Sequence, residues 1–158
     1  MDMNIYKIAL ATHIVGITIM AGTTFIDYII FKQFRKIFST DKPKNFLMEE
    51  MLNKLQKFIG IGMFVIILSG VLMMVYMHQV WGQQVWFRIK MGVLILIIIN
   101  GLGFRRSLGL KLKKLLEGSS GKGFTAEFSR VKSNITRVQI LQMLFFIIIF
   151  VLSVFKFN

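Results

Sequence analysis

Four stretches of this chain are almost free of charge, and clusters of polar and basic residues lie between them. A helix needs about 20 apolar residues to cross about 30 Å of hydrocarbon. Ile8 to Ile26 contains no Asp, Glu, Lys or Arg, and neither does Phe58 to Phe87, which is long enough for one span and a turn into the next. The turn falls at the polar stretch Gln79 to Gln84. Met91 to Phe104 is uncharged but only 14 residues long, so the third span has to start near Val85 or Trp86 and enclose Arg88 and Lys90. Val138 to Phe155 supplies a fourth. The expected fold class is therefore all-α, an integral membrane four-helix bundle in one transmembrane domain covering 1–158. Its spans lie at about 6–31, 58–79, 85–105 and 137–156, with loops at about 32–57 and 106–136. The N-terminal stretch is kept as a span, because Lys7 is its one early basic residue and no A-x-A-like cleavage site follows.

Charge orients the bundle. Of the 20 Lys and Arg residues, seven fall between Lys32 and Lys57 and nine between Arg105 and Arg137, which leaves four for the other exterior segments. The positive-inside rule puts both basic loops in the cytoplasm and both termini outside. Inside the first loop, Ser39-Thr40-Asp41-Lys42-Pro43 reads as a break between helices. Helical spacing of Phe46, Leu47, Met51, Leu52, Leu55 and Phe58 starts the second helix near Asn45 and carries it into the membrane. Gly118 to Gly123 reads as a flexible joint, followed by a helix through Ala126 to Arg137 that leads into span four.

Composition agrees with this division: 55% of residues are hydrophobic, 17% are charged, and mean hydropathy is +0.67. A soluble enzyme is excluded on this pattern, since soluble domains carry about 25% charge. Zero Cys removes disulfides, thiolate zinc sites, iron–sulfur clusters and Cys nucleophiles. The net charge of +13 is assigned to anionic lipid headgroups and topology rather than to nucleic acid, because the basic residues lie between apolar spans. Membrane lipid is thus the expected partner, in a multi-pass cell-membrane protein of the bacterial inner-membrane kind.

Ionisable groups at membrane depth are costly, and each is a candidate functional residue. His13 lies roughly 10 Å deep and Lys90 roughly 7 Å deep from the outer side, at about 1.5 Å per residue. Neutral imidazole and a deprotonated amine are both nitrogen donors, so the two could hold an iron between spans one and three. The structural alternatives are a His13 hydrogen bond to a neighbouring helix and a Lys90 that snorkels outward, as Arg88 is expected to do. Asp27 shares nearly the same helical face as His13, and its expected partner is Arg105 or Arg106 in a structural salt bridge. Asn100 is a further intramembrane polar residue. His78 sits beside Trp81 and Trp86 in an interfacial aromatic belt. A bis-His haem through His13 and His78 would have to bridge a depth difference of roughly 10 Å. Met73, Met74 and Met77 suit Cu(I) by softness and ordinary packing by spacing. Gly60, Gly62, Ser69, Gly70, Gly92, Gly101 and Gly103 are read as sites of close helix contact. No phosphate loop, G-x-S-x-G motif or metal-spaced His pair occurs, and the sequon at Asn134-Ile135-Thr136 falls in a cytoplasmic loop.

Several of these residues stand together in a pattern. His13-Ile14-Val15-Gly16-Ile17 with Ala21-Gly22, then Leu47-Met48-Glu49-Glu50 to Leu55, then Trp86-Phe87-Arg88-Ile89-Lys90 resemble the HemJ-type protoporphyrinogen oxidases and the related CopD-like four-helix membrane proteins. The resemblance covers about residues 5 to 115, and the chain would be a divergent member. It implies a haem b, with the first-span His and the Lys of a W-L-H-x-K-like motif falling on His13 and Lys90 as axial ligands. The pattern departs at Tyr28 and Gln33, where the family has Arg and His, at Arg88 in place of the motif His, and near Asn100 or Gly101 in place of a span-three His. The Ala21-Gly22 pair is one residue closer to His13. Because porphyrinogen oxidation removes protons as well as electrons, these losses of titratable groups bear on that chemistry.

Three functions follow as expectations. One is a haem b redox enzyme that passes electrons to a quinone or another membrane acceptor. Another is a non-enzymatic haem protein for electron transfer or gas binding. The third is a CopD-like copper-handling or transport component without haem. A homodimer would suit four short spans whose interior is shallow for a macrocycle.

Overall fold

Uninterrupted apolar periodicity gives long helices, because in hydrocarbon every backbone N–H and C=O has to be satisfied within its own segment. The computed structural model describes residues 3–37, 42–118 and 126–155, and every regular element among them is helical. Helix α1 is Met3–Ile37, α2 is Lys42–Trp81, α3 is Val85–Ile98, α4 is Arg106–Gly118 and α5 is Ala126–Phe155. Between α3 and α4 the chain does not turn but widens into a π-helical segment, Ile99–Arg105. Four helical stretches are long and apolar enough to span a membrane, and the third is composite, Val85–Leu115. The chain is thus a multi-pass integral membrane protein with four spans.

The helices run well past the expected span limits. At about 1.5 Å per residue the 40 residues of α2 measure about 60 Å, twice the hydrocarbon thickness. Much of the two basic loops is therefore helical. Apolar residues in them recur at helical spacing and have a face to bury, so α1, α2, α4 and α5 continue the bundle beyond the apolar spans. The break at Ser39 to Asp41 and the joint at Ser119 to Gly123 lie outside the described residues. Pro43 stands in the first turn of α2, where its missing N–H costs no hydrogen bond.

Packing divides into layers along the bundle axis. At the basic end, Phe31 and Phe34 of α1, Leu52 of α2, Leu112 of α4, and Val131 and Ile135 of α5 form one apolar cluster. Arg35 Nη1 ties its rim by donating to Thr136 Oγ1 at 3.1 Å. A second cluster nearer the opposite end joins Met20, Ile59, Met63, Ile66 and Ile97. Helix α1 packs along α2, and α5 packs against α1, α3, α4 and the π segment. Many large apolar side chains, such as Phe64, Val75, Ile147 and Val154, face outward, as lipid contact requires.

Contact between α1 and α2 is set by two glycines. A Cβ on Gly16 would stand 3.0 Å from Ile66 Cγ1, and one on Gly62 would stand 3.0 Å from both the backbone N and the Cβ of Met20. Gly70 leaves room for the His13 ring, whose Cε1 would lie 3.5 Å from an added Cβ. The other glycines expected at contacts differ: Gly60, Gly92 and Gly103 have nothing within 4 Å of an added Cβ. Small size alone does not say which face of a helix a glycine occupies.

Candidate functional site

Two groups of buried polar side chains interrupt the apolar interior. The first is centred on His13. Ser69 Oγ donates its one proton to Val65 O at 2.6 Å, the usual bond of a helical serine to the preceding turn. It is therefore an acceptor toward His13, whose Nδ1 lies 2.9 Å from Ser69 Oγ and 3.1 Å from Ile66 O. Both partners accept, so the proton resides on Nδ1. The lone pair is then on Nε2, which makes no hydrogen bond among the described residues. A backbone carbonyl on Nδ1–H is the arrangement that fixes the tautomer of metal-binding histidines and raises their basicity.

The other expected ligand is engaged elsewhere. Lys90 Nζ donates to Ser153 Oγ at 2.9 Å, and Ser153 in turn donates to Ile149 O at 2.7 Å. Lys90 lies within electrostatic reach of the His13 ring, but the two side chains share no hydrogen-bond partner. One face of α2 carries Ser69, Met73 and Tyr76, spaced by four and three residues. Tyr76 Oη is buried and makes no hydrogen bond among the described residues. His13 is thus the one expected ligand whose ring is held in a single tautomer with a nitrogen uncommitted among the described residues. Among the described residues no group of three or more His, Asp or Glu side chains could hold a metal ion by itself.

Near the turn, Arg88 is exposed and its Nε donates to Gly82 O at 3.2 Å. Trp86 is buried at 3% exposure, with its indole N–H on Gln84 Oε1, so it faces protein and is not a member of an interfacial belt. The side chains of His78 and Trp81 lie outside the described residues.

The second group forms a polar layer between the two apolar clusters. Asp27 receives Arg105 through Nε at 3.2 Å and Nη2 at 3.0 and 3.1 Å, and Gln139 Nε2 donates to its Oδ2 at 2.6 Å. Arg105 is thus the partner, while Arg106 is exposed. Asn100 Nδ2 donates to Val138 O at 3.0 Å and to Gln142 Oε1 at 2.7 Å. Asn100 and Arg105 lie in the π segment, where a wider turn presents both to α1 and α5. Single-turn widenings of this kind concentrate at functional sites.

Sequence reasoning marked Asp27, Asn100 and Arg105 but passed over Gln56, Gln139 and Gln142, which complete the layer. An uncharged amide in an apolar run does not register as an ionisable residue does. The available signal was the pair Gln139 and Gln142, three residues apart on one face of a span that otherwise carries almost no polar side chain.

Compared with family models, curated proteins and solved structures, the chain matches none.

Proposed function

We propose that this protein is a membrane haem b protein of redox function, with His13 as an axial ligand of the iron. The observation that supports this reading best is the tether on His13, whose Nδ1–H is shared by Ser69 Oγ and Ile66 O and whose Nε2 is left as a donor. A bound haem supplies one-electron chemistry that no side chain here can provide. The chain's own part is to hold the imidazole in one tautomer and one orientation. Lys90 is the proposed second ligand, and its amine would have to be neutral and leave Ser153 Oγ to bind iron. Electrons would pass from a reduced substrate to a membrane acceptor such as a quinone. Porphyrinogen is the substrate class to test first, given the sequence resemblance at His13 and Lys90.

Oxidised and dithionite-reduced visible spectra of the detergent-purified protein, with a pyridine haemochrome assay, test the proposal. Sharp reduced α and Soret bands at near one haem per chain, lost in His13→Ala, are the expected result. A colourless protein that takes up no added haemin overturns it. Turnover of reduced porphyrin then separates an oxidase from an electron carrier.

A further inference from the structure

The polar layer carries three amide atoms with no hydrogen-bond partner among the described residues, and the side chains that bear them all line one cavity. Gln139 is 2% exposed and Gln142 is 5% exposed, so solvent does not satisfy them. Gln139 Oε1, Gln142 Nε2 and Gln56 Nε2 are buried and unpaired, while the opposite ends of the first two amides are fixed by Asp27 and Asn100. Flipping Gln139 would turn its oxygen onto the Asp27 carboxylate, and flipping Gln142 would set its NH₂ against the Asn100 NH₂. The orientations of Gln139 and Gln142 are therefore determined, and the cavity is offered an N–H donor by Gln142, a carbonyl acceptor by Gln139 and the amide of Gln56. It is lined by all three glutamines, together with Thr24, Asn100 and Gly101, and has a volume of about 20 Å³.

We propose that this cavity is a binding site for one structural water. The molecule accepts from Gln142, donates to Gln139 and bonds to the amide of Gln56, which joins α1, α2, the π segment and α5 in one hydrogen-bonded layer. The volume is enough for a water, which needs about 10–15 Å³ and two to four polar partners. A cation does not fit, because the Gln142 end that meets the cavity is an N–H donor. An anion does not fit either, because the Gln139 end is a carbonyl oxygen and the Arg105 charge is already neutralised by Asp27. A ring-sized ligand exceeds the space. The site is separate from His13, whose partners lie on the α2 face that carries Ser69.

Radiolytic hydroxyl-radical footprinting in nanodiscs tests the site, because radicals formed from a bound water oxidise the side chains beside it. Met63 and Met20 are both buried, at 3% and 2% exposure, but only the Met63 methyl is found beside Gly101, 3.4 Å from where a Cβ would stand. Met63 should be oxidised to the sulfoxide several-fold faster than Met20. Gly101→Ala puts its methyl 3.8 Å from Gln142 Nε2, an ordinary contact that the fold tolerates, and should bring Met63 down to the Met20 rate. Gln142→Leu, which removes an amide from the cavity, should do the same. Equal rates for Met63 and Met20 in the wild-type protein, or a Met63 rate unchanged in both variants, overturn the proposal.

Discussion

At the scale of single residues, the two polar groups differ in what their bonds leave over. Asp27 has both oxygens occupied by Arg105 and Gln139, so its contacts are those of a structural ion pair between α1, the π segment and α5. Asp27→Ala strands a buried guanidinium and should lower stability by roughly 3–5 kcal/mol, measured by unfolding in mixed detergent. Asp27→Leu combined with Arg105→Met should recover most of that loss, since a buried ion pair replaced by apolar groups of similar volume is often neutral. A double variant as unstable as the single one would contradict this account. His13 is the opposite case, with one nitrogen tethered and one uncommitted. Ser69→Ala leaves Ile66 O as the one acceptor on Nδ1–H and should weaken haem binding by about 10–100-fold without abolishing it, as read by haemin titration. Full retention of affinity would mean that the tether has no part in holding the ring.

At the scale of elements, α1 and α2 meet through Gly16 and Gly62, and the cost of crowding them is predictable. Gly62→Val places side-chain atoms against the Met20 backbone and should destabilise the bundle by roughly 1–3 kcal/mol. Gly60→Val, two residues away in open space, should change unfolding little, and similar effects for both would show that α1 and α2 do not approach here. The sequence made the four spans legible because span length is a physical requirement of hydrocarbon, and because Lys and Arg mark the segments outside it. It made the Asp27 and Arg105 pair legible because a charge at that depth needs a partner. The π segment was not legible: Ile99 to Arg105 has the composition of ordinary span three, and its widening depends on what Asn100 and Arg105 find on α1 and α5. The choice among glycines was hidden for the same reason, since a contact involves two helices and periodicity describes one. The Lys90 bond to Ser153 crosses 63 positions and had no local signature.

At the scale of the whole molecule, the bundle is stratified into apolar, polar and apolar layers, with His13 toward the end where the basic residues are scarce. The charge asymmetry predicts that the Phe31 and Leu112 cluster faces the cytoplasm. Because the chain has no native Cys, single cysteines can be added without background. A cysteine at Ser107 should react with an impermeant maleimide only in inverted vesicles, and one at Gln83 only in right-side-out vesicles. The reverse pattern would invert the topology and put His13 on the cytoplasmic side.

The unbroken course of α1 and α2 has a mechanical consequence. Each is a rigid rod pinned near His13 at one level and in the Phe34 and Leu52 cluster at another, whereas the third span has a widened joint between its two halves. One continuous helix, α2, therefore carries both Leu52 in the basic-end cluster and the Ile66 and Ser69 that hold the imidazole, whereas the path from α4 to Lys90 passes through the π segment.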